Sequence, residues 1–252
     1  MSQTLKKQKS LNQLKNQRSE LATAYKICDK LGLSDLTYTH LSARASNQSF
    51  YIYPFGLLFD EVTSSNLLEV STQGTILQGE EYQYNKTGYI IHGSIYEKKE
   101  NVNAIFHLHT PSIVAVSCFK EGLLNLSQWA LHFTGKIAYH DYDSLALNKH
   151  QHGSKILQDL GNFPILMMRH HGVLITGKTI QECLFFAYHL EKACQTQCLM
   201  GIHSQLTVCR ISDEIALRSN KDLLSFESDL GRRDFLALER FVNRANNQSF
   251  DE

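Results

Sequence analysis

The chain has 252 residues, of which 42% are hydrophobic, 20% charged and 10% aromatic, with 14 Gly and only 3 Pro. This composition excludes a disordered chain, a collagen-like repeat and a coiled coil, and the length suits one α/β domain with a sizeable core. Lys plus Arg and Asp plus Glu both number 25, so the net charge is zero, which argues against nucleic acid or an acidic membrane surface as partner.

The first 18 residues carry Lys6, Lys7, Lys9, Lys15 and Arg18 without an acid, and read as a basic flexible leader. A single domain is expected over 19–242, followed by a flexible tail at 243–252. Leu21, Ala24, Tyr25 and Cys28 follow helical spacing, with Gly32 as a stop. Short strands are predicted at Leu41–Arg44 and Ser49–Pro54, a helical turn at Val62–Asn66, and a hairpin from Leu67–Ser71 and Thr75–Leu77 around Gln73-Gly74. Gly88 to Lys98 reads as a helix and Val102–His109 as a strand, after which Thr110-Pro111 opens another helix. Further strands are predicted at Leu123–Leu126, Ile137–Tyr139, Pro164–Arg169 and Val173–Thr176, with a helix at Gly153–Leu160. Cys183, Phe186, Ala187, Leu190, Cys194 and Gln197 form one stripe of a long core-facing helix that begins near Thr179, and a last helix follows Phe226. Strands and helices do not alternate strictly, so the sheet should be mixed or antiparallel.

The six Cys contain no Cys-x-x-Cys pair and lie mostly in apolar segments. They read as reduced thiols of a cytoplasmic protein. No apolar run reaches the 18 residues of a membrane span. No Gly-x-Gly-x-x-Gly, Walker loop or nucleophile elbow is present.

The densest chemical signal is Phe106-His107-Leu108-His109-Thr110-Pro111. Residues two apart on a strand share a face, so His107 and His109 point together and could converge on a metal ion. Histidines that are merely exposed or hydrogen-bonded would give the same local pattern. A second signal, Arg169-His170-His171-Gly172, sits between two apolar strands. With His107 and His109, one of its histidines would complete an open tripod. By itself it also reads as a surface turn.

These segments belong to an ordered set. Thr39-His40-Leu41-Ser42-Ala43-Arg44, Pro54-Phe55-Gly56-Leu57-Leu58, Asn85-Lys86-Thr87-Gly88 with His92, Val102 to Pro111, Ala138-Tyr139-His140-Asp141-Tyr142 and His171-Gly172-Val173-Leu174 follow one another from Ser19 to Gly201. The set resembles the class II aldolase/adducin family, in its adducin-like branch, which includes bacterial single-domain proteins. The resemblance implies a three-layer α/β/α fold around a mostly antiparallel sheet. It also implies a homo-oligomer, with a tetramer favoured and clefts at subunit boundaries, where Tyr139, His140 and Tyr142 could reach a neighbour. It implies a divalent metal, most often Zn2+, on His107, His109 and His171. In the family's enzymes such a metal polarises a carbonyl and stabilises an enediolate.

The resemblance also exposes departures. The family's sugar-phosphate aldolases carry a proton-transferring Glu four residues before the position of His92, and here that residue is Gly88. Their phosphate-binding positions correspond to Lys86 and Thr87, to Thr39-His40 in place of Gly-Asn, and to Phe55-Gly56 in place of Thr-Gly. Lys86, Thr87 and Gly56 are thus the candidate substrate-binding residues, and a phosphorylated ketose is disfavoured. His92, Tyr84 and His132, then Glu80 and Glu81, are the candidates for the missing acid/base. Two functions follow: an aldehyde-lyase or enolate-forming enzyme on a small hydroxycarbonyl or sugar-like compound, or a catalytically silent oligomeric or scaffold protein like the adducin head.

Overall fold

The computed structural model describes the backbone of residues 3–201 and 207–247, and side chains from Asn16 to Gly201 and from Thr207 to Arg244. In chain order the elements are α1 (Gln3–Lys30), β1 (His40–Ser46), β2 (Ser49–Ile52), β3 (Leu68–Ser71), β4 (Ile76–Gln78), α2 (Lys86–Lys98), β5 (Ala104–Leu108), α3 (Pro111–Ser117) and α4 (Gln128–Leu131). They continue with β6 (Ile137–His140), α5 (Ser154–Leu160), β7 (Ile165–Met168), β8 (Gly172–Gly177), α6 (Ile180–Gly201), α7 (Asp213–Ser225) and α8 (Arg232–Asn247). The strands form one sheet in the order β4-β3-β2-β1-β5-β8-β7-β6. Every neighbouring pair is antiparallel except β6 with β7. The expected mostly antiparallel α/β sheet is therefore present, with helices on both faces.

β5 lies in the middle of this sheet, and all five of its residues are buried. A strand covered on both faces needs apolar residues on each, which Ala-Ile-Phe-His-Leu supplies at every position but one. On one face α6 presses Cys183, Phe186, Ala187 and Leu190 into the core, and the Cys183 thiol donates to the Ala104 carbonyl at 3.4 Å. α1 packs beside it through Leu21, Ala24, Tyr25 and Cys28, and the Tyr25 hydroxyl bonds both the amide and the carbonyl of Leu41. On the other face α2 is buried from Gly88 to Tyr96. There the guanidinium of Arg44 lies over the Tyr96 ring at 4.8 Å and donates to the carbonyls of Val102 and Lys99 at 2.8 and 2.7 Å.

Several sequence expectations need correction. α1 starts at Gln3 rather than near Ser19. Its first turns hold Lys, Gln and Leu without Gly or Pro, and those residues favour helix. Arg18, assigned to the leader, is tied to the body of the fold: it donates to the Ser64 carbonyl at 2.9 Å, the Leu67 carbonyl at 2.7 Å and Gln78 at 2.6 Å. α8 runs past 242 to Asn247, and the rest of the proposed tail, 248–252, lies outside the described residues, as do residues 1–2 of the leader.

Leu123–Leu126 is not a strand, because side chains capture its amides. Leu123 donates to the Tyr139 hydroxyl at 3.1 Å and Leu124 to Gln197 at 2.8 Å. The helical turn expected at Val62–Asn66 forms earlier, at Phe59–Glu61, where Glu61 accepts from the Leu58 amide at 2.7 Å. α7 was not anticipated, although Ser212 as N-cap with Asp213 and Glu214 behind it is a legible start signal.

Candidate metal centre

β5 and β8 meet at one end of the sheet, in the register His107 opposite Leu174 and Leu108 opposite Val173. β7 and β8 are joined there by a tight turn, closed by the His171 amide donating to the Met168 carbonyl at 3.1 Å. His170 takes φ +60° in that turn, a left-handed conformation that His adopts more readily than bulkier residues. The strand does not continue through His170, so its ring is exposed rather than set opposite His171 as strand alternation would require. Gly172 permits the close approach: a Cβ there would collide with the Leu108 carbonyl oxygen and reach 2.9 Å from the His109 ring. The pairing of His171 with a following glycine thus has a steric cause.

His107, His109 and His171 converge. One ring nitrogen from each lies within 4.8 Å of the others, and their ring centroids are 4.4–4.9 Å apart. His107 Nδ1–H donates to the Val173 carbonyl at 2.9 Å, which fixes the tautomer and leaves the Nε2 lone pair facing His109 Nε2 at 2.8 Å. His109 Nδ1 lies 3.4 Å from the carboxylate of Asp35 and 3.5 Å from the Thr39 hydroxyl. An imidazole with one nitrogen held by a carbonyl or carboxylate and the other free is the arrangement of a metal ligand.

Burial pushes all three rings below the ordinary histidine range. His107 is lowered furthest, with its histidine neighbours adding to burial, and His171 falls to about 4. His109 falls less because Asp35 opposes burial. The cluster is therefore neutral at pH 7, the state a metal requires. The donor set fits a divalent ion: these three could hold one and leave further positions open.

Behind the triad lies a buried polar chain. His40 pairs with His107 across β1 and β5, and its ring stacks at a tilt on that of His107, 4.8 Å between centroids. His40 Nδ1 is 2.9 Å from His92 Nε2, His92 Nδ1 is 2.5 Å from Ser42 Oγ, and Ser42 Oγ is 2.9 Å from the Tyr96 hydroxyl. The Tyr96 hydroxyl has no other partner among the described residues, so its hydrogen must go to Ser42. Ser42 then donates to His92 Nδ1, His92 Nε2–H donates to His40 Nδ1, and His40 is left with a hydrogen on Nε2. His40 Nε2 has no hydrogen-bond partner among the described residues, and the residue is 2% exposed.

This geometry explains Gly88. A Cβ at residue 88 would lie 2.9 Å from His40 Nε2 and Cδ2. The imidazole of His40 occupies the space into which a side chain at 88 would project. Burial lowers His92 to about 3 and drives His40 down as well, with its neighbouring histidines adding to the effect, so both rings are neutral.

The other sequence candidates lie apart from the triad. His92 is buried one hydrogen bond behind His40. Thr87 gives its amide and hydroxyl to Asn85, the cap of α2, at 3.0 and 2.7 Å. Lys86 and Tyr84 line a neighbouring cleft with Lys149, and the Tyr84 hydroxyl is held by the Gly74 carbonyl at 2.8 Å. Gly56 sits in an exposed turn at φ +104°, and Glu80 and Glu81 are exposed in a turn. His132 stands in another cleft beside His189. His140 is held by Asp159 at 2.6 Å, while Tyr142 is exposed, 6.5 Å from His171 between ring centroids.

The position of His40 beside Gly88 escaped the sequence reading, which treated it as a departure in a phosphate loop. Its spacing from Ser42 places both on one strand face, and that signal was available.

The family model for the Class II Aldolase and Adducin N-terminal domain matches residues 19–198. An aldolase II superfamily protein of Pseudomonas syringae superposes with a TM-score of 0.82 at 32% identity, covering 92% of this chain and 93% of that one. L-fuculose 1-phosphate aldolase of Glaciozyma antarctica PI12 has the same fold, with a TM-score of 0.83 at 23% identity over 96% and 94% of the two chains. Alpha-adducin of Rattus norvegicus is 36% identical over 71% of this chain, and the match spans 25% of that larger protein. With the matched model spanning most of the chain and all three clustered histidines inside it, the chain belongs to the class II aldolase and adducin family.

Proposed function

We propose that this protein is a cytoplasmic, homo-oligomeric, divalent-metal-dependent lyase or enolate-forming enzyme acting on a small, unphosphorylated hydroxycarbonyl compound. The observation that carries this reading is the convergence of three neutral histidines whose free nitrogens face one point. His107, His109 and His171 would hold the ion, with Zn2+ favoured by an all-imidazole set. When bound, such an ion supplies Lewis-acid polarisation of a carbonyl oxygen.

The chain's own residues supply the rest. His40 presents Nε2–H as a hydrogen-bond donor to a substrate oxygen, in the space left by Gly88. Ser42, His92 and Tyr96 hold that hydrogen on Nε2. Reversing the three hydrogen bonds would make Nε2 an acceptor and strand the Tyr96 hydroxyl hydrogen, at a cost of roughly 1–3 kcal/mol. His40 therefore offers a hydrogen bond at rest, and its Nε2 could accept one only after that reversal. Capping of the α2 N-terminus by Asn85 supports an unphosphorylated substrate, because Asn85 already accepts from the amides of Thr87 and Gly88. The same two features, Gly88 and a capped α2, favour the second reading of a silent assembly protein.

The experiment is α-proton exchange in heavy water on a panel of hydroxyaldehydes and hydroxyketones, using metal-loaded protein and the His107→Ala/His109→Ala variant. Metal-dependent exchange that the variant loses is expected. Metal-loaded protein that exchanges no substrate of the panel would leave the assembly reading in place.

A further inference from the structure

Glu191 of α6 is a buried acid, 7% exposed. No Lys, Arg or His forms an ion pair with it among the described residues. A carboxylate taken out of water needs other partners, and neutral donors supply them. The Thr110 hydroxyl donates to its Oε2, while the Ser112 hydroxyl and the Gln195 side-chain amide donate to Oε1 at 2.5 and 2.7 Å.

Both hydroxyls belong to the segment that follows His109. β5 pairs with β8 only as far as Leu108, opposite Val173, so His109 stands one residue past the last register pair. Beyond it the chain turns into α3, with Thr110 at the N-cap and Pro111 at the first helical position. A Thr N-cap ordinarily turns its oxygen on an amide of its own helix. Here no such side-chain bond forms, and the hydroxyl reaches across to α6 instead. Pro111, between the two hydroxyl residues, has its φ fixed by its ring. The two carboxylate oxygens therefore grip one short, stiff piece of chain, and His109 is its immediate neighbour. Asp35 and Thr39 lie against the His109 ring, whereas Glu191 holds the chain that carries it.

We propose that Glu191 is a positioning residue for the triad: through Thr110 and Ser112 it sets where His109 stands, and so how tightly His107, His109 and His171 would hold a divalent ion. The proposal rests on the metal reading of those three histidines. Glu191→Gln would keep the shape but offer one accepting oxygen where two are used, and its NH2 would face a hydroxyl that must then find another acceptor. Thr110→Val would keep the shape and remove the hydroxyl that joins α3 to α6.

The test titrates chelator-stripped protein with ZnCl2 and records the visible spectrum of CoCl2-loaded protein, whose bands report the arrangement of ligands around the ion. Glu191→Gln and Thr110→Val should each weaken zinc binding about tenfold or more and alter the cobalt bands. Thr110→Ser, which keeps the hydroxyl, should bind as the parent does. Adding Thr110→Val to Glu191→Gln should cost little beyond Glu191→Gln alone, because both break one link. Asn220→Ala is the control for a merely structural role, since Asn220 is a buried tie of α7 to the carbonyls of Leu131 and His132. It should lower Tm and leave zinc affinity and the cobalt bands as in the parent.

Should Glu191→Gln unfold by circular dichroism, Thr110→Val decides. If the parent binds zinc and both variants bind it equally well, the proposal falls and the metal centre stands. A loss that Asn220→Ala shows to the same degree would also overturn it. A parent that binds neither zinc nor cobalt would remove the metal centre, and the positioning role with it.

Discussion

The end of β5 and the start of α2 both meet the ring of His40, yet they place their side chains in different ways. At the end of β5, His107 and His109 come from one strand and His171 from the next, and backbone pairing sets their positions. At the start of α2 the group that fills the space is not on the helix at all. His40 enters from β1 and fills the space beside Gly88. A ligand set on paired strands is fixed by register, so it has little freedom to move. A single ring that fills one space need only arrive near one point, so it can come from another element if space is cleared for it.

The largest effect should come from breaking the β5–β8 contact. Gly172→Ala would press a methyl group onto the Leu108 carbonyl, which is backbone and cannot yield cheaply. We expect a loss of about 3 kcal/mol, roughly 6–12 °C in Tm, with weakened metal binding because His171 moves with residue 172. A thermal melt within 2 °C of the parent's would contradict the steric account of the His-Gly pair.

The His40–Gly88 pair should give a smaller and more diagnostic effect. Gly88→Ala in the parent should cost about 1–2 kcal/mol by overpacking against the His40 ring. In a His40→Ala background the same change should be neutral or stabilising, since helix propensity then favours Ala. A double-mutant cycle by urea denaturation measures the coupling. If Gly88→Ala costs the same in both backgrounds, His40 does not fill the place of that side chain.

The smallest effect is on pH dependence. In the metal-free protein burial holds His171 at about 4, against an ordinary value near 6.5. The unfolded chain therefore binds more protons between those values, and stability falls as pH drops from about 6.5 to about 4. Saturating Zn2+ should extend the stable range to lower pH, because protons must then displace the ion. Identical pH profiles with and without Zn2+ would show that the triad does not hold it.

Much of this was legible in the sequence. The eight strands were, because both faces of the central sheet are covered and their residues form short apolar runs between turn signals, although Leu123–Leu126 shows the same kind of run without forming a strand. Local spacing paired His107 with His109 but left His170 and His171 open, and the family resemblance is what pointed to His171. α1 begins before, and α8 ends after, the boundaries expected at 19 and 242. Helix propensity carries α1 back to Gln3, and Arg18 is held by three acceptors from distant segments.

The sequence by itself determined the elements and the residue types that could hold a metal, because strand period and cap chemistry are local. Only the tertiary structure decided which histidines meet. His40 and His92 are 52 positions apart and His132 and His189 are 57 apart, and sequence proximity says nothing about either pair. His132 looked like a candidate for the triad's pocket and faces another cleft, while His40 looked like a lost loop residue and fills the gap beside Gly88. The physical reason is the same in both cases. A ring nitrogen's role depends on what its other nitrogen bonds and on which void it faces, and packing between distant elements sets both.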